Sequence, residues 1–165
     1  MTCMAKRLAN AGLLVTLVSA SAVPASAPPG LTLAAAQRMI SECTTLAVAQ
    51  KFPPLSIVVL DAAGAIIAFE RQDGASPASA DAALQKAKSA LRARVPTSKL
   101  ANLSVQDQVT RDGLMVLGIL GIPGGVPFPG DATVPMGAVG VSGAEPATDE
   151  RCAGAAAAAF DKPGH

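Results

Sequence analysis

The stretch "LSIVVLDAAGAIIAFERQDG", Leu55 to Gly74, holds two apolar runs separated by the polar turn Asp61-Ala62-Ala63-Gly64. The first run is continuously apolar from Ile57 to Leu60, as a strand covered on both faces requires, whereas the second ends in charge at Glu70 and Arg71. Two strands joined by so short a turn pair antiparallel. The segment therefore predicts a β-hairpin, and the rest of the chain must supply the elements that cover it.

On the N-terminal side, "LTLAAAQRMISECTTLAVAQKF" places Ala36, Met39, Ile40, Cys43 and Ala47 at helical spacing, with Thr32 as N-cap and Pro53-Pro54 as the stop. On the C-terminal side, "SPASADAALQKAKSALRARVP" predicts a second helix, basic towards its end and closed by Pro96. Thr97 to Leu120 reads as mainly helical, either one helix interrupted at Gly113 or a helix followed by a short strand. Then "GIPGGVPFPGDATVPMGAVGVSG" offers two β-prone runs, Val126 to Phe128 and Val134 to Ser142, linked by a Pro-Gly-Asp turn. Gly137, Gly140 and Gly143 mark a close backbone approach or a bulge. A last helix starts at Pro146, with Asp149 and Glu150 near its N-terminus and an inward stripe of Cys152, Ala155, Ala156 and Ala159. The order α-β-β-α-α-β-β-α implies an α+β fold, an antiparallel β-sheet flanked by helices.

The first residues read as a secretion signal: Lys6 and Arg7, the apolar run "AGLLVTLVSA", then Ala25-Ser26-Ala27 in a small-x-small pattern. The expected division is a signal peptide over 1–27 and a single domain over 28–165, located in the periplasm or outside the cell. The run falls short of the roughly 20 apolar residues of a membrane helix, so no stable membrane anchor is expected after cleavage. Loss of Lys6 and Arg7 from the 13 basic residues leaves 11 against 12 acidic ones, which removes any electrostatic case for nucleic acid. With no Trp or Tyr and four Phe, the core must be built from Ala, Val, Leu and Ile.

Few residues are suited to chemistry. Cys43 and Cys152 lie on the apolar stripes of the first and last helices, where they either form a disulfide or remain two buried thiols; export permits the bond. The single His is the terminal His165, so a catalytic zinc site is not expected. Ser142 in "GVSG" lacks both the nucleophile-elbow pattern and a base, and neither "GIPGG" nor "GVSGA" completes a phosphate-loop fingerprint. No catalytic residue is assigned. The basic cluster Lys86, Lys88, Arg92 and Arg94 is either a solvated face or an anion site, with Lys88 and Arg92 sharing a helical face.

The segments "SIVVLDAAGAIIAFERQDGASPAS", "ALQKAKSA", "GIPGGVPF" and "MGAVGVSGAEPATDERCAG", in this order, resemble the GlcG/HbpS family of haem-binding proteins. They are also similar to the C-terminal domain of PduO-type cobalamin adenosyltransferases. The resemblance spans "LTLAAAQRMI" to "GAAAAAF" and implies a profilin-like fold and a homo-oligomer. In it the strand "GAVGVSGA" is central in the sheet and the following helix packs close to it. The resemblance further implies haem or a related tetrapyrrole as small-molecule ligand, and some exported members degrade haem or pass a redox signal. Lys86, Lys88 or Arg92 would then meet the propionates, and the Thr97 hydroxyl either approaches iron or simply caps the next turn. An accessory subunit without a small-molecule ligand is the third reading.

Overall fold

The computed structural model describes residues 30–129 and 133–161. The expected signal peptide, the turn residues Gly130 and Asp131, and His165 lie outside the described residues.

Helix α1 spans Leu33–Ala49, and the Thr32 side chain caps it by accepting from the Ala35 amide at 3.1 Å. Its buried face contains Ala36, Met39, Ile40, Cys43 and Ala47, as their spacing required. Strands β1, Ser56–Asp61, and β2, Ile66–Arg71, form the antiparallel hairpin. The Asp61 carboxylate shapes its turn, accepting from the amides of Ala63 and Ala65 at 2.9 Å each. Helix α2, Pro77–Ala93, starts with proline in its first turn behind the Ser76 cap and ends at Arg94 in the left-handed conformation.

Between Thr97 and Leu120 the chain forms two helices, α3 at Thr97–Gln106 and α4 at Gln108–Val116, and no strand. The interruption falls at Asp107, not at Gly113. Asp107 is extended, with φ −140° and ψ 120°, and its carboxylate caps α4 by accepting from Val109 and Thr110 amides. An N-cap aspartate satisfies donors that a helix start leaves free, whereas a glycine inside a helix costs only about 1 kcal/mol.

Strands β3, Gly125–Phe128, and β4, Gly137–Ser142, precede α5, Pro146–Ala158. β4 begins three residues later than the apolar run that starts at Val134. The four strands lie in the order β2-β1-β4-β3, every neighbouring pair antiparallel.

The sheet is covered on both faces. Ile57, Val59, Val139 and Val141 pack with α1 and α5, while Val58 and Leu60 meet Ala83 and Ala87 of α2. Each such fully buried aliphatic side chain contributes about 1.5–3 kcal/mol relative to exposure. On α5 the inward residues are Cys152, Ala153, Ala156, Ala157 and Ala159, so Ala153 and Ala157 stand where Ala155 was expected. The stripe is displaced because α5 touches α1 as well as the sheet.

The glycines of the central strand serve close packing, as the resemblance implied. It is α2 that requires it: a Cβ at Gly140 would stand 2.0 Å from the Ala83 carbonyl oxygen. Helix α5 covers the opposite face through Val139 and Val141. On β3, a Cβ at Gly125 would lie 2.2 Å from the Lys86 carbonyl oxygen. Cys43 and Cys152 form a disulfide between α1 and α5, with Cα atoms 4.8 Å apart and both residues fully buried.

Candidate binding site

The basic end of α2 borders a groove of about 410 Å³. One wall is the β1–β2 turn at Ala62 to Gly64; the other is Lys88, Leu91, Arg92 and Arg94, with Val134 and Pro135 at the end. Three cations line it, and none of the described residues that line it is acidic. Both arginines also donate to main-chain carbonyls. Arg92 Nη1 donates to Leu117 O at 2.8 Å, and Arg94 Nη1 donates to Thr133 O at 3.2 Å. A guanidinium has five N–H donors, so each retains most of its hydrogen-bonding capacity. The groove can therefore recognise anions, carboxylates above all.

A second depression, lined by Leu31, Asp61 and Met136 among others, shares Ala62, Ala63, Val134 and Pro135 with the first. It adds apolar side chains, a thioether and the Asp61 carboxylate, which already accepts from the amides of Ala63 and Ala65.

Of the four residues singled out in the sequence, Lys88 and Arg92 face this groove, whereas Lys86 and Thr97 do not line it. Lys86 is buried against Asp149, with Nζ 2.6 Å from Oδ2 and 3.1 Å from the Val141 carbonyl oxygen. The second Asp149 oxygen accepts from the Ala144 amide at 2.9 Å. Burial raises the Asp149 carboxyl above its ordinary value of 3.8, while Lys86 and backbone N–H groups pull it down. Thr97 is also fully buried, its hydroxyl accepting from the Gly125 amide at 2.9 Å. As placed here, Lys86 and Thr97 hold the start of β3 and the end of β4 together and present no group to a surface ligand.

Two residues of this assembly went unread in the sequence beyond their dipole placement. Asp149 is the counter-ion of Lys86, and Glu150 accepts from the amides of Ser98 at 3.0 Å and Gly124 at 3.1 Å. The available signal was Lys86 itself, which falls on the inward stripe of Ala83, Ala87 and Ala90. A lysine at such a position needs a buried partner.

The family model described as "Haem degrading protein HbpS-like" matches residues 31–158. The chain belongs to the HbpS-like family. A double mutant of Streptomyces reticuli HbpS is 30% identical, with 94% of this chain and 100% of that chain covered at a TM-score of 0.71. Klebsiella pneumoniae ORFY is 28% identical, covering 87% of this chain and 100% of that one at a TM-score of 0.73. A structure titled as a PduOC:heme complex, 21% identical over 80% of this chain and 96% of its own, shares the fold at a TM-score of 0.69. No curated protein matches the chain. Three of the four segments that carry the resemblance meet in space: Lys86 of "ALQKAKSA" pairs with Asp149 of "MGAVGVSGAEPATDERCAG", and Gly124 and Gly125 of "GIPGGVPF" bind Glu150 and Thr97.

Proposed function

We propose that this protein is an exported binding protein for haem or a related tetrapyrrole, which it holds by the ligand's carboxylates. The observation that carries the reading is the groove itself, three cations with no acid among its described lining residues. Family membership supports the ligand class, since the matched model is described by haem degradation. Lys88 and Arg92 meet the propionates, with Arg94 as a third anchor, while Lys86 and Thr97, which do not line the groove, serve the fold.

The residues fit haem at its carboxylates and only sparsely at its metal. Among the described residues there is no His or Tyr, both cysteines are bonded to each other, and Met39 is fully buried. Bound haem would bring redox-active iron, and the chain's own part is to hold its carboxylates.

Export is supported by the Lys6-Arg7, apolar and Ala25-Ser26-Ala27 series and by the disulfide, a bond that persists in oxidising compartments. Among the described residues no helix is long and apolar enough to cross a membrane. The periplasm or the exterior is the proposed location. Assembly into a homo-oligomer is supported by α4, which buries none of its residues while Val109, Met115 and Val116 stand exposed, as does Val105 of α3. Across the two helices Lys99 and Arg111 balance Asp107 and Asp112, so no net charge repels a second copy.

Titration of haemin into the mature protein tests the reading. A shifted Soret band saturating at a defined stoichiometry, weakened by Lys88→Ala with Arg92→Ala, is the expected result. A spectrum indistinguishable from haemin in buffer overturns it. Slow haem breakdown with peroxide is a second reading, favoured by the family's description; Soret loss with iron release faster than for haem on albumin supports it.

A further inference from the structure

We infer that the groove recognises a tetrapyrrole through its two carboxylates and not through its iron, so that a metal-free porphyrin dicarboxylic acid is as good a ligand as haemin. The inference rests on the tetrapyrrole reading and narrows it to a ligand class.

The two arginines are arranged for this. Arg92 donates to Leu117 O and Arg94 to Thr133 O, carbonyls from separate segments of the chain, which restricts both side chains before any ligand arrives. Pre-orientation lowers the entropy lost when a carboxylate binds. The two guanidinium groups are thus tied to different segments of the chain, and Lys88 adds a third cation to the lining of the groove. Three cations supply charge for both carboxylates of a dicarboxylic ligand, whereas a monocarboxylic one uses only part of it.

The metal end offers the opposite picture. None of the side chains lining the groove is an imidazole, thioether, thiolate or phenolate. The one soft donor among the described residues that line the adjoining depression is Met136, half-buried and absent from the lining of the groove itself. A site with strong carboxylate donors and no metal donor on its walls discriminates by charge pattern, not by metal.

Fluorescence quenching and absorption titrations with protoporphyrin IX, haemin and the dimethyl ester of each test the inference. Protoporphyrin IX and haemin bind within about threefold of one another, and esterification weakens both by about tenfold or more, the loss of charge-assisted hydrogen bonds. Arg92→Gln and Arg94→Gln each reduce the preference for acid over ester; circular dichroism melts confirm that these exposed positions leave the fold intact. Haemin binding more than about tenfold tighter than porphyrin, with Met136→Leu removing the difference, overturns the inference and leaves the haem reading standing. Equal binding of acids and esters also overturns it. Failure of all four compounds to bind overturns the tetrapyrrole reading itself.

Discussion

Lys86 Nζ and Asp149 Oδ2 stand 2.6 Å apart, and both side chains are almost sealed from solvent. The pair joins α2 on one face of the sheet to the start of α5 on the other, passing the end of β4 where Lys86 also reaches the Val141 carbonyl. Removing one member leaves the other charged and buried, which costs about 3–5 kcal/mol. Lys86→Met is therefore expected to destabilise by that amount in urea unfolding, and Lys86→Met with Asp149→Asn by less than the sum of the two single changes. Additivity within about 0.5 kcal/mol would show that the two groups are not coupled.

The pH dependence of Asp149 has a definite sign. Burial raises its carboxyl above 3.8 against the opposing pull of Lys86 and backbone amides. A carboxyl raised in the folded state binds more protons there than when unfolded, so its contribution is full below 3.8 and is lost as pH rises through the folded value. The stability advantage of wild type over Asp149→Asn should shrink from about pH 3 towards neutrality. An advantage that grows over this range would mean that Lys86 outweighs desolvation.

Gly140 is predicted to tolerate no side chain. The obstacle to a Cβ is the Ala83 carbonyl and the Ala87 backbone of α2, neither of which can rotate away. Gly140→Ala should cost about 3 kcal/mol or more, or abolish folding. Gly113→Ala is the contrast: a Cβ there meets nothing within 4 Å, and in a helix interior it should stabilise by about 0.5–1 kcal/mol. Chemical denaturation of both variants checks the pair.

The disulfide closes a loop between residues 109 apart in sequence. In the chain-entropy model such a loop is worth about 4.7 kcal/mol, and removing native disulfides typically costs about 2–5 kcal/mol. Cys43→Ala with Cys152→Ala should lower stability within that range in urea unfolding. Two thiols titrating in the denatured, unreduced mature protein would show that the bond does not form.

The exposed face of α3 and α4 is expected to be covered by a second copy. Val109→Asp with Val116→Asp should shift the mass measured by light scattering towards the monomer while leaving the far-ultraviolet circular dichroism unchanged. An unaltered mass would place the subunit contact elsewhere.

The hairpin, α1 and α2 were legible in the sequence because period, turn chemistry and caps act over a few residues: Thr32, Asp61 and Ser76 each bond within four positions of themselves. The α3–α4 break was misplaced because Gly113 is a visible breaker, while the capping Asp107 acts only once the chain turns there. The disulfide partners were legible as candidates, since two cysteines on apolar stripes limit the possibilities, though stripe spacing cannot tell whether the stripes face each other. Lys88 and Arg92 were legible as surface cations on one helical face. Their groove was not, because its opposite wall comes from the β1–β2 turn and from Val134 and Pro135.

What the order of residues settled alone was a set of local structures and their inward faces, from Ile57 to Leu60 and from Ala36 to Ala47. Only the folded chain determined that α2 lies on Gly140, and that choice places Lys86 against Asp149, 63 residues away. The reason is range: propensity and periodicity act between neighbours, whereas burying a charge depends on which distant element closes over it.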